Sequence, residues 1–255
     1  LTTTTGSKPA LRNKRSRPED AEANTNDRFM PTMLPATSPT RAWADPIRLT
    51  RMNESSAHYF DARPDVASAP RSVPVVLRDV SFELSTDTGV FSTEHLDGGT
   101  RVRLDGAPPP PATGNVLDIG CGYGPIAITC AMRAPAAQVW AVDVNERARG
   151  LTRTNADALG LSNVKVYAPD EVPVDVRFDA IYSTPPIRIG KPALHALLLR
   201  WLRQLGGAGN AFLVVQRHLG SDSLAQWLNE QGFPTKRIAS KTSFRLLQVS
   251  AKESS

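Results

Sequence analysis

An apolar stretch broken by one Asp, Val116-Leu117-Asp118-Ile119, stops against three glycines at alternate positions, Gly120, Gly122 and Gly124. Nothing else in the chain restricts the fold so tightly. Glycine takes backbone angles that a Cβ forbids, and it lets a ligand lie against the main chain. A strand feeding such a turn and then a helix is how α/β proteins hold nucleotide-containing ligands. The spacing also discriminates. A dinucleotide turn wants Gly-x-Gly-x-x-Gly, and the third position counted from Gly120 is Pro125. Proline suits the first turn of a helix, where its missing N–H has no partner, but it is a poor substitute for that glycine.

The sequence around this turn alternates strands and helices. Strand 115–119 leads to helix 124–133, and strand 138–142 ends at Asp143. Helix 145–159 stops at Gly160, strand 163–167 is short, and strand 178–182 runs into Ser183-Thr184-Pro185-Pro186. Helix 192–205 is halted by Gly206-Gly207, and strand 211–216 is almost wholly apolar. Ser221 caps helix 222–231, Gly232 follows, and strands near 235–239 and 243–250 make an antiparallel edge pair. The pattern predicts an α/β fold, a doubly wound, mostly parallel seven-stranded sheet of Rossmann-like type. Its ligands belong at the carboxyl ends of the strands.

Upstream, Val73, Val75 and Leu77, then Val80, Phe82 and Leu84, alternate as an N-terminal β-hairpin that Gly89-Val90-Phe91-Ser92 closes. A short helix near 98–105 and a stiff Pro108–Pro111 linker follow. The expected organisation is a disordered extension over 1–51, a hairpin and linker over 52–111, and the main domain over 112–255. Met52 reads as a natural start, so the extension need not belong to the working protein.

Charge needs dissecting. The chain carries +5, but residues 1–51 hold nine Lys/Arg against five Asp/Glu, whereas residues 52–255 hold 21 against 20. The excess lives in the extension, and it does not show that the folded part binds nucleic acid. Lys14-Arg15-Ser16-Arg17 reads as an RNA-gripping arm or, more plainly, as a solvated tail. No apolar stretch reaches the roughly 18 residues of a membrane span, and no apolar run follows the basic N-terminus as in a secretory signal. Cys121 and Cys130, and the scattered His58, His95, His195 and His218, lack partners at metal-ligand spacing. No metal and a reduced, cytoplasmic setting are expected.

Four groups of residues carry the chemistry. Asp143, about 20 residues after the turn, is placed to accept hydrogen bonds from ribose hydroxyls. Asp170, with Glu171 as its rival, follows the third strand where it can meet an adenine amine. Thr184, Pro185, Pro186 and Ile187 form a rigid strand end whose carbonyls suit holding an exocyclic amine in a fixed direction. Arg188 and Lys191 follow, as phosphate contacts or as solvated charges opening a helix.

Asp118-Ile-Gly-Cys-Gly-Tyr-Gly124 resembles the first motif of class I S-adenosylmethionine methyltransferases. From about His58 onward the chain resembles the methyltransferase small-domain family, which includes bacterial 16S ribosomal RNA guanine-N2 methyltransferases. Gly89-Val90-Phe91-Ser92, Asp97, Gly99-Thr100, the glycine turn, Asp143-Val-Asn145, Ser183–Ile187 and Ser243-Phe244-Arg245 carry the likeness. The resemblance implies S-adenosyl-L-methionine as cofactor, held by Asp118, Gly120, Gly122, Gly124, Asp143 and Asp170. It implies a guanine N2 of ribosomal RNA, free or in the small subunit, as acceptor at Thr184–Ile187. Protein-glutamine or small-molecule methylation, or a catalytically weak cofactor-binding RNA module, are the alternatives. Two departures stand out: Thr184 replaces the family's usual Asn before the two prolines, and where two-domain relatives carry an extra N-terminal domain only a hairpin and a tail are expected in this sequence.

Overall fold

The computed structural model describes residue 62, residues 65–92 and residues 94–252. The extension, its Lys14–Arg17 cluster and the Met52 start lie outside the described residues. Strands β1 (Arg71–Val76) and β2 (Ser81–Thr86) pair as an antiparallel hairpin, and α1 (Gly98–Gly106) follows. The main fold then runs β3 (Thr113–Ile119), α2 (Pro125–Arg133), β4 (Ala136–Val142), α3 (Glu146–Ala158), β5 (Val164–Tyr167) and β6 (Phe178–Ser183). It continues α4 (Lys191–Leu202), β7 (Leu205–Gln216), α5 (Ser221–Glu230), β8 (Thr235–Lys241) and β9 (Phe244–Ser250).

The sheet order is β5-β4-β3-β6-β7-β9-β8, parallel from β5 to β7, with β9 antiparallel to both its neighbours. This is the predicted seven-stranded, doubly wound sheet. The strand order reverses beside β3, which opens a crevice beyond its carboxyl end. The burial follows from covering both faces. Val116 to Ile119 of β3 are all buried. Alternate residues of the strands enter opposite layers, Leu117, Ile181 and Leu213 on one side and Val116, Tyr182 and Val214 on the other. Helix α4 seals the first layer with Leu194, Leu197, Leu198 and Trp201, the three-and-four spacing of one helical face.

The hairpin packs onto the main fold. Val73, Val75, Phe82 and Leu84 form a buried cluster with Tyr123, Ile128, Ala148 and Ala156. Polar contacts fix the register of that packing. Asn155 accepts from Ser85 N–H at 2.8 Å and donates to the carbonyls of Ser85 and Tyr123, each at 2.8 Å. Arg147 donates to the carbonyls of Thr88 and Val66.

Two expected boundaries are corrected. Helix α4 ends at Leu202, and Gly206-Gly207 lie inside the twelve-residue β7 rather than after a longer helix. Leu205 pairs with Phe178, and the register shifts before Asn210 meets Ala180. A Cβ at Gly209 would sit 2.7 Å from the Phe178 carbonyl oxygen, so the glycine-rich run is what lets this strand approach β6. Ser221 is not the cap of α5; Gly220, at φ +95°, holds that position, and Ser221 is the buried first helical residue.

Candidate active site

The glycine turn leaves β3 with its main chain tied to β4. Gly120 and Cys121 donate to the Val142 carbonyl at 2.8 and 3.1 Å. Gly122 N–H meets Asp143 Oδ2 at 2.9 Å, and the Thr152 hydroxyl donates to the Gly122 carbonyl at 2.9 Å. All three glycines have positive φ. A Cβ on Gly120 would meet nothing within 4 Å, whereas one on Gly124 would strike Thr152 at 3.1 Å. Gly120 therefore presents bare main chain to open space, and Gly124 lets α3 approach the start of α2. Pro125 takes the first position of α2, as expected.

Asp118 is wholly buried and acts from beneath the turn. Its Oδ2 accepts the Ala127 N–H at 3.1 Å, one of the free donors of the first turn of α2, while Oδ1 has no partner. Burial pushes its carboxyl up to about 7, against the pull of the Arg103 guanidinium and the Ala127 bond. Arg103 is equally buried, 1% exposed, and none of its three guanidinium nitrogens has a hydrogen-bond partner. It lies over the Tyr182 ring, 5.3 Å from the centroid.

Asp143 is half-buried at the end of β4. Oδ1 accepts Asn145 N–H and Oδ2 accepts Gly122 N–H, both at 2.9 Å. Burial holds this carboxyl above its ordinary value, with the two N–H bonds opposing. Each oxygen retains a lone pair for a further donor, such as a ribose hydroxyl. Asn145, unnoticed in the sequence as more than a motif letter, caps α3 through Ala148 N–H and donates to the Gly89 carbonyl at 2.8 Å. It pins the segment after the hairpin across the mouth of the turn, where Val90 lies 4.0 Å from the position of a Cβ on Gly122. Asp170 is exposed on a short turn, Pro169–Glu171, beyond β5; its neighbour Glu171 is engaged with Ala168 N–H at 2.6 Å.

The Ser183–Ile187 segment stands at the carboxyl end of β6, next to β3. The buried Ser183 hydroxyl donates to the Ile119 carbonyl at 3.1 Å and locks the two strand ends together. Thr184 Oγ1 is buried without a hydrogen-bond partner. Pro185 is buried, and Ile187 opens a short turn and packs against the α4 layer. Arg188 and Lys191 are exposed beyond it. The glycine turn, Asp143 and Thr184 thus share one edge of three adjacent strands, β4-β3-β6. Among the described residues no group of three or more His, Cys, Asp or Glu is placed to hold a metal ion, and no helix is long and apolar enough to cross a membrane.

Comparison with known proteins adds to this geometry. The family model "Methyltransferase small domain" matches residues 81–248. The uncharacterised protein YbxB of Bacillus subtilis is 36% identical over 178 residues, which is 69% of this chain and 89% of that one. Ribosomal RNA small subunit methyltransferase C of Shewanella amazonensis is 38% identical over 155 residues, 58% of this chain and 45% of that protein. The chain thus spans about half the length of the methyltransferase C relatives it matches. Among solved structures, the T. thermophilus 16S rRNA N2 G1207 methyltransferase in complex with AdoMet and guanosine superposes with a TM-score of 0.59. That match has 22% identity and covers 74% of this chain and 52% of the other, which is a likeness of fold.

Proposed function

The chain belongs to the methyltransferase small-domain family of S-adenosylmethionine-dependent methyltransferases, and from that premise we propose that it methylates an exocyclic amine of ribosomal RNA, specifically a guanine N2. The observation that carries the reading is the orphaned Thr184 hydroxyl. A buried polar atom without a partner is expensive and calls for an explanation, and at a strand end beside the glycine turn a ligand is one that fits. Thr184 occupies the strand end beside the glycine turn, where an acceptor amine would have to lie for methyl transfer. The relatives named for methylation of small-subunit ribosomal RNA supply the acceptor class.

The cleft fits the cofactor on two counts. Gly120 offers open main chain for a methionine moiety, and Asp143 has free lone pairs for the ribose. Asp170 lies beyond the neighbouring strand for the adenine amine, and Asp118 supports the turn through α2 rather than by contact. The bound cofactor supplies a methyl group already activated on a sulfonium. What remains for the protein is alignment. The Thr184 hydroxyl accepts an N–H of the acceptor amine, and Pro185 and Pro186 hold the strand end that carries it. Ile187 offers an apolar wall to the base, and Arg188 and Lys191 lie where flanking phosphates would pass.

The test is transfer of labelled methyl from S-adenosylmethionine to unmodified 16S ribosomal RNA and to assembled small subunits, followed by nucleoside mass spectrometry. N2-methylguanosine is the expected product. Label in protein, or none in RNA in either state, would discard the reading.

A further inference from the structure

The folded part is nearly neutral as a whole, yet its charge is divided along the chain. Residues 52–182 hold 11 Lys/Arg and 17 Asp/Glu, a net of −6, and residues 183–255 hold ten and three, a net of +7. The fold turns much of this division in sequence into one in space, although α1 brings Asp97 and Asp105 to the β9–β8 side and α4 carries Arg200 to the Pro169 carbonyl. Strands β3, β4 and β5 and their helices belong to the acidic stretch, and β7, β9 and β8 with α4 and α5 to the basic one. The boundary falls at Ser183, on the strand end where the proposed acceptor binds.

Four cations of the basic half stand at the carboxyl ends of β6, β7 and β8. Arg188 and Lys191 follow β6, and Arg217 follows β7, its parallel neighbour. Strand β8, antiparallel to β9 and so aligned with β7, ends at Lys241 on the same edge. All four are exposed. Arg188, Lys191 and Arg217 make no ion pair among the described residues, and Lys241 is paired with Asp105 at 3.4 Å on the exposed surface. The backbone holds them in a row: Arg217 N–H donates to the Ser243 carbonyl at 2.7 Å, joining the end of β7 to the β8–β9 turn. The opposite side of the cleft carries Asp143, Glu146, Asp170 and Glu171 at the ends of β4 and β5, and the cations beside them, Arg147, Arg149 and Arg200, are tied to backbone carbonyls.

We infer that this basic rim is the docking surface for the phosphate backbone of the substrate RNA, and that the strand crosses the molecule over β6, β7 and β8, away from the β4–β5 side. This rests on the proposal that RNA is the acceptor and adds the direction of approach, with Arg217 and Lys241 as contacts outside the acceptor segment. Three unpaired cations, Arg188, Lys191 and Arg217, with Lys241 on a surface pair beside them, attract a polyanion by counterion release, and the carboxylates across the cleft disfavour it there. The arrangement separates two tasks. The acidic side of the crevice takes a sulfonium-bearing nucleoside, and the basic side takes the nucleic acid.

The test uses the full chain and a fluorescein-labelled single-stranded RNA of about twenty nucleotides, with binding followed by anisotropy across a series of salt concentrations. The triple variant Arg188→Gln/Lys191→Gln/Arg217→Gln is compared with wild type and with Lys165→Gln/Arg177→Gln, which removes two exposed cations from the acidic half. The triple variant should show a shallower slope of log K against log salt, by about 2 (roughly 0.7 for each lost single-strand phosphate contact). Its affinity for S-adenosylmethionine should be unchanged, which reports an intact fold, and the double variant should match wild type. If wild type binds RNA and the triple variant keeps its affinity and slope, or if the double variant loses as much, the rim is not the docking surface and the RNA reading stands. If wild type binds S-adenosylmethionine but shows no salt-dependent RNA binding, RNA as acceptor fails and the surface with it.

Discussion

Asp143 and Gly122 are joined by a 2.9 Å hydrogen bond from main-chain N–H to carboxylate, 21 residues apart in sequence. The residue proposed to bind the ribose therefore also shapes the turn proposed to hold the methionine end. Asp143→Ala removes the acceptor for Gly122 and Asn145 N–H as well as for the ribose. We expect S-adenosylmethionine affinity to fall by roughly 1–3 kcal/mol, the usual cost of a lost charged hydrogen bond. Asp143→Asn keeps one acceptor oxygen and should fall less. Calorimetric titration of the three proteins measures this, and equal affinities for wild type and the alanine variant would remove Asp143 from the site.

The glycines of the turn should separate stability from binding. Gly124→Ala forces an L-residue to φ +100° and drives its methyl into Thr152 at 3.1 Å. That combination should cost about 2 kcal/mol or more of folding stability. Gly120→Ala carries backbone strain at φ +75° but meets no atom within 4 Å, so it should cost less stability while its methyl points into the cleft. Urea denaturation and cofactor titration of both variants check the split: the first variant loses mainly stability, the second mainly affinity.

The buried Asp118 makes stability depend on pH in a defined direction. Burial raises its carboxyl from its ordinary 3.8 to about 7. Between those values the folded state holds a proton that the unfolded state has released, so stability falls as pH rises. The contribution is complete below about 4 and gone above about 7, with a slope on the order of 1 kcal/mol per pH unit at most. Asp118→Asn retains an acceptor for Ala127 N–H and should flatten the dependence relative to wild type. Facing Asp118 are the Arg103 guanidinium from α1, the Asp143 carboxylate from β4 and the Cys130 thiol from α2, itself pushed up to about 12 by burial. Arg103→Met removes the cation that holds Asp118 down, so the decline should extend to higher pH. Denaturation midpoints at several pH values report both effects.

Periodicity made the strands and the crevice legible. A buried parallel strand is an apolar run, and Ala211–Val215 reads that way in one dimension, as does Val116–Ile119 but for Asp118. The glycine turn was legible because its spacing is local. What escaped depends on partners distant in sequence. Arg103, two residues after Arg101 in a helix of weak amphipathicity, gives no sign of being buried until Tyr182 and Pro108 close over it. Asn145 as a clamp requires Gly89, 56 residues away. The start of β7 hid among glycines because a close approach to Phe178, not an apolar pattern, selects them. The charge division is hidden in the composition because the two stretches of residues 52–255 cancel to +1.

Thr184 offers the sharpest separation of stability from activity. Its hydroxyl is buried and unpaired, and a buried polar atom left unsatisfied costs about 1–3 kcal/mol. Valine has nearly the same shape and lacks the hydroxyl. If the atom serves only the acceptor, Thr184→Val should hold or raise the melting temperature, leave S-adenosylmethionine affinity unchanged and cut kcat for methyl transfer. Thr184→Asn restores the side chain that usually precedes the two prolines in the family, with an amide oxygen that reaches further. It should preserve or raise transfer. The two substitutions together exclude a purely structural role, because that role predicts no loss of rate with valine and no gain of rate with asparagine. A valine variant that unfolds more readily and still transfers methyl at the wild-type rate would show that Thr184 belongs to the scaffold, and the acceptor amine would then have to be held by the Pro185 and Pro186 backbone alone.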